Sequence, residues 1–148
     1  MTELKLPYGF GATVHAAYDQ AVGLTRDALA AQGFGVLTEI DVRATLKNKL
    51  DVDFRPYVIL GACNPPLAHQ ALSSELEIGL LLPCNVVVHA GETEGESVVA
   101  IMDPQAALSL TGNDSIEPLA RDVRSRLDRV LAAVVEQAQR EHEMDTEC

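Results

Sequence analysis

The chain contains no tryptophan and only three tyrosines and three phenylalanines. Large rings therefore cannot fill its interior, and Leu, Val, Ile and Ala must do so. Cysteine is as scarce, with three in 148 residues. A count this low and odd excludes a disulfide-rich secreted scaffold and fits a reducing cytoplasm. No apolar run approaches the roughly 20 residues of a membrane-spanning helix. The opening Met1-Thr2-Glu3-Leu4-Lys5 lacks the basic-then-apolar order of a signal peptide. Cationic side chains are the minority, 11 against 22 acidic ones, for a net charge of −11. So acidic a surface repels phosphate backbones and anionic lipid, and neither nucleic acid nor a membrane is expected as partner. Arg43, Lys47, Lys49 and Arg55 do cluster, but as the solvated face of a helix.

What remains is a chain of single-domain length, able to bury a core without a disulfide or a structural metal. The apolar periodicity sets out its elements. Leu4 to Val14 reads as an opening strand and Ala17 to Gln32 as an amphipathic helix stopped by Gly33. Gly35 to Ile40 reads as a strand with Val36, Thr38 and Ile40 on one side. Asp41 caps a short helix through Leu50. Tyr57 to Ala62 is apolar on both faces, as a central strand is. Asn64 and Pro65 open a helix reaching about Leu76. Leu80-Leu81-Leu82 has no assigned form. Cys84 to Ala90 and Ser97 to Met102 form a hairpin, and Asp103-Pro104 starts a short helix toward Leu110. The last helix opens at Asp114 and Glu117, in capping-box spacing, and keeps an apolar stripe to Ala138. These elements predict an α+β two-layer sandwich: a twisted mixed sheet of about five strands with helices largely on one face. Residues 1–140 form one domain, and the acidic segment 141–148 is a frayed tail.

One dipeptide occurs twice, as Cys63-Asn64 and Cys84-Asn85, each beside proline. Cys63 ends a strand where a helix begins. A helix N-terminus favours an anion, so a reactive, low-pKa thiol is one reading and a small buried residue the other. Cys84 starts a strand with Val86 and Val88 on its side, which points it at the core. The two thiols form a redox pair only if their Cα atoms lie within about 7 Å. His69, in the following helix, is either a partner for a thiolate or an ordinary helix-surface histidine. Asn64 and Asn85 read as a cap and a strand-start residue. No zinc spacing, phosphate loop or nucleophile elbow is present. An axial haem ligand needs only one Cys, His or Met beside an apolar pocket, which keeps haem open.

Several segments together resemble the domain-of-unknown-function family 302. They are Gly33-Phe34-Gly35-Val36-Leu37-Thr38-Glu39-Ile40-Asp41-Val42, Lys49-Leu50, Tyr57 through Pro65, Ala68-His69-Gln70-Ala71-Leu72, Ile78 through Val88, and Met102-Asp103-Pro104. The resemblance covers roughly Phe10 to Leu110, with the last helix as the family's usual ending. It implies a TATA-binding-protein-like fold, a curved sheet with helices that often dimerises, and no established activity. Three functions follow as expectations. The first is a domain binding a small apolar ligand or a cofactor such as haem, with Cys63, Asn64, His69, Cys84 and Asn85 as site candidates. The second is a thiol-based redox or sensor protein using Cys63. The third is a non-catalytic structural homodimer. No enzymatic reaction is assignable.

Overall fold

The structure is a computed structural model and describes residues 2–147. Six strands form one sheet: β1 (Thr2–Leu6), β2 (Gly9–Val14), β3 (Gly35–Asp41), β4 (Tyr57–Cys63), β5 (Cys84–Ala90) and β6 (Ser97–Met102). Their spatial order is β1-β2-β6-β5-β4-β3, and every neighbouring pair is antiparallel. The sheet is therefore not mixed. The extra strand arises because Leu4 to Val14 is a hairpin, turning at Pro7-Tyr8, rather than one strand. Pro7 lacks the N–H a continuous strand would need, which favours the break there.

Five α-helices complete the fold among the described residues: α1 (Tyr18–Ala31), α2 (Val42–Leu50), α3 (Pro65–Ser74), α4 (Pro104–Leu108) and α5 (Glu117–Glu147). Three carry the side-chain caps their sequences predict. Ala44 N–H donates to Asp41 Oδ1 at 2.9 Å, Leu67 N–H to Asn64 Oδ1 at 3.3 Å, and Gln105 N–H to Asp103 Oδ1 at 2.9 Å. The Leu-rich stretch after α3 becomes a 3-10 turn, Leu76–Leu81. Ahead of α5 the polar contacts fall to Asn113, whose Oδ1 accepts from Ser115 N–H at 3.0 Å; the expected Asp114–Glu117 box does not form among the described hydrogen bonds.

Alternation along the strands sends one set of side chains into the core: Phe10 and Val14, Val58 and Leu60, Val86 and Val88, Val99 and Ile101. Ala21, Ala28 and Leu29 of α1 and Leu127, Val130 and Val134 of α5 meet them there. The opposite sheet face keeps Tyr57, Ile59, Val87, His89, Val98, Ala100 and Met102 only half-buried. The apolar stripe of α5 ends at Ala138, but the helix continues to Glu147 instead of ending near Arg140. Two contacts hold this extension: Gln20 Nε2 donates to Glu141, and the His142 ring stacks on His15 with centroids 4.9 Å apart. Cys148 lies outside the described residues. No described helix is long and apolar enough to cross a membrane.

Candidate functional site

A cavity of about 320 Å³ opens where the ends of β3, β4 and β5 meet α3, the 3-10 turn and α5. Its walls are apolar: Phe34 and Ala62 from the sheet side, Leu67, Ala68 and Leu72 from α3, and Leu119 and Val123 from α5. The polar residues along its lining are Thr38, Asn64, Cys63 and Cys84. The cavity gathers three of the five candidate residues, Cys63, Asn64 and Cys84. His69 is exposed on α3 and does not line it. Asn85, one position past Cys84, points to the opposite sheet face, where it lines a separate trough.

The strand register explains this gathering. Ala62 of β4 pairs with Cys84 of β5, so Cys63 and Cys84 sit one step apart on adjacent strands. Strand spacing and rise then put their Cα atoms about 6 Å apart. Distance alone would allow a bridge, but alternation gives Cys84 the face of Ala62 and sends Cys63 the other way. Divergent Cβ directions do not close a disulfide, and both cysteines are free.

Neither thiol is activated. Burial pushes the Cys63 pKa up rather than down, against the reactive-thiol reading of its place beside a helix start. The first turn of α3 shows why. Pro65 and Pro66 have no N–H to offer, Leu67 N–H is taken by Asn64 Oδ1, and Ala68 N–H bonds Asn64 O at 2.9 Å. No free backbone donor is left in this turn to stabilise a thiolate. Cys84 is more strongly affected: burial, with repulsion from Cys63, pushes it up to about 11.

Sequence reading missed most of the cavity wall. Leu37 is the clearest case. A bulge between Val36 and Thr38 breaks the expected alternation: Val36 pairs with Ala62 and faces the core, while Thr38 pairs with Gly61 and faces the other way. Leu37 becomes the extra residue, 67% exposed, and lines the cavity mouth. Bulges recur beside functional sites because they re-aim a side chain. Gly61 is the only signal that hinted at it, since a Cβ there would lie 2.1 Å from Thr38 Oγ1.

Gly33 supports the site from behind. Its φ of +83° is left-handed, and a Cβ would meet Asn64 Nδ2 at 3.1 Å. Gly33→Ala should cost about 1–2 kcal/mol from the backbone alone. Displacement of the Asn64 cap should raise the loss further. Urea unfolding of the two proteins measures it, and equal midpoints would refute the account.

The donor set can also be tested against haem. Haem takes an axial ligand in an apolar pocket, and its carboxylates need cationic partners. The cavity offers two thiols held protonated, no histidine and no Lys or Arg. These residues do not fit haem. Among the described residues, no three His, Cys, Asp or Glu side chains converge as a metal ion would require.

No curated protein matches the chain. Among solved structures it is similar to the crystal structure of an uncharacterized conserved DUF302 protein from Bacillus stearothermophilus, at 27% identity and a TM-score of 0.79, covering 86% of this chain and 98% of that one. The model of the family described as Domain of unknown function DUF302 matches residues 10–134, past the cavity and well into α5, and the chain belongs to that family.

Proposed function

We propose that the corner cavity binds a small, uncharged, apolar ligand. The observation that carries this reading is the cavity's lining. About 320 Å³ lies at the lower end of ordinary small-molecule sites, and no side chain charged at neutral pH faces it. A charged ligand would lose its hydration there without gaining a partner. Asn64 Oδ1 is committed to its cap, which leaves the Asn64 Nδ2 group, Thr38 and the thiols to orient a ligand. The same geometry disfavours a thiol-redox role for Cys63, because the thiolate is the nucleophile and both thiols are held protonated.

Benzene is a suitable probe, since dry apolar cavities take it up. At ten times its dissociation constant it should stabilise the protein by about 1.4 kcal/mol. For a chain of this length that raises Tm by roughly 4 °C. Ala68→Phe, which places a ring in the cavity from α3, should remove the shift. A wild-type Tm unmoved by benzene, or a shift that survives in Ala68→Phe, refutes the proposal.

A further inference from the structure

We infer that the sheet face opposite α1 and α5, where α4 borders a trough, holds a second binding site, for a flat, uncharged aromatic molecule that donates a hydrogen bond to His89. A trough of about 650 Å³ runs across this face, floored by Val87 and Ala100 and separate from the corner cavity. No Asp, Glu, Lys or Arg lines it, in a chain whose net charge is −11. Charged residues have been kept off the surface where they are most abundant elsewhere.

The trough has room because β2 presents Gly9 and Gly11 on this face. Gly11, Ala100, Val87 and Ile59 lie in one row across four strands. A Cβ on Gly11 would lie 2.1 Å from Val99 O, and one on Gly9 2.8 Å from Ile101 O. Glycine at such positions marks close backbone approach. From the row of Asn85 to the row of His89 the trough spans about 14 Å, enough for a fused-ring ligand.

One end of the trough is aromatic. Tyr57 and His89 are direct cross-strand partners, and their rings stack with centroids 5.1 Å apart and planes 6° from parallel. Phe54 adds a third ring beyond Tyr57, at 6.1 Å. The stack stops at His89, whose next neighbour across the sheet is the smaller Val98. A planar ligand lying over Val87 and Ala100 would sit one row along from this stack, beside the His89 ring.

The histidine is also held in one tautomer. His89 Nδ1 lies 2.8 Å from Ala90 O, and a carbonyl can only accept, so Nδ1 carries the hydrogen. In the neutral ring Nε2 is then an acceptor. Arg55 Nη1 donates to the same carbonyl at 3.2 Å, and its charge is met by Glu92 at 3.3 Å. The ligand's donor therefore finds an acceptor at the aromatic end of a site whose other polar groups are Asn85 and the tyrosine hydroxyls, a small set of the kind that fixes orientation in small-molecule pockets.

The test uses 1-naphthol, which has the hydroxyl, with naphthalene, which lacks it, and 1-naphthoate, which is charged. In the wild-type protein, NMR should show nuclear Overhauser contacts from 1-naphthol to the methyls of Val87 and Ala100 and a shift of the His89 ring. His89→Phe keeps a ring in the stack and removes the acceptor. It should weaken 1-naphthol by about two- to tenfold and leave naphthalene unchanged. Ala100→Leu should abolish binding of both, and 1-naphthoate should bind to neither variant nor wild type. Ala68→Phe, which blocks only the corner cavity, should leave these signals intact, so the two sites succeed or fail separately. Contacts only to corner-cavity residues, equal losses of both probes in His89→Phe, or a dimer that buries Val87 and excludes 1-naphthol would each overturn the inference.

Discussion

In a Cys148→Ser background, iodoacetamide at pH 7 will leave Cys84 unmodified in the folded protein and will label Cys63 more slowly than a free thiol. A pKa near 11 leaves Cys84 with roughly a hundredth of the thiolate of an ordinary cysteine at neutral pH, before its burial blocks the reagent. Cys63, half-buried and shifted in the same direction, should show a labelling midpoint above the free-thiol value of about 8.5. Labelling of Cys63 at pH 7 as fast as glutathione would restore it as a reactive centre and count against the apolar-ligand reading.

The same shift makes a stability prediction of definite sign. Between about pH 9 and 11 the unfolded chain has lost the Cys84 proton while the folded protein keeps it. Fewer protons bound in the unfolded state means that stability falls as pH rises. The contribution is fully present below about pH 9 and lost through about pH 11, for a total of about 3 kcal/mol. Tyr18 adds a loss of the same sign at high pH, because burial raises its hydroxyl pKa too. Comparison with Cys84→Ala isolates the thiol: the variant's stability should fall less steeply across this window. Parallel curves would refute the assignment.

Gly11→Val should unfold the protein or cost more than about 4 kcal/mol, a large part of the 5–15 kcal/mol typical of a domain. Its Cβ would lie 2.1 Å from Val99 O and 2.8 Å from Ala100 Cα. Both obstacles are backbone, so no rotamer change relieves them. Relief requires separating β2 from β6, the contact that ties the β1–β2 hairpin to the remaining sheet. Gly23→Ala is the matched control. Gly23 lies exposed within α1 with nothing near its Cβ position, so the substitution should stabilise by about 1 kcal/mol. Thermal unfolding of the two variants should therefore move in opposite directions. A folded Gly11→Val near wild-type stability would mean that the strands do not approach so closely.

Much of this architecture was legible in local signals. The caps at Asp41, Asn64 and Asp103 were visible because a short polar side chain before a helix has one dominant use. The β5–β6 hairpin and the core stripe of α5 were visible for the same kind of reason: period and turn chemistry act over a few residues. The opening hairpin was hidden because its strands meet at Pro7-Tyr8, without the Asn-Gly or Asp-Gly turn that marks a tight reversal. The end of α5 was hidden because its last turns have no apolar stripe and are held by Gln20 and His15, over 120 residues away.

The sequence by itself determined the family, the α+β class, the aliphatic core and the region that carries the repeated Cys-Asn. The family rests on the resemblance of several segments, and the rest on composition and on spacings within single elements. Only the tertiary structure decided what that region is. Strand register put Cys63 and Cys84 side by side but facing apart, and turned Asn85 to the opposite face. The proline pair and the Asn64 cap consumed the donors that would have activated Cys63. Burial and hydrogen-bond occupancy are properties of neighbours distant in sequence, so no spacing along the chain records them.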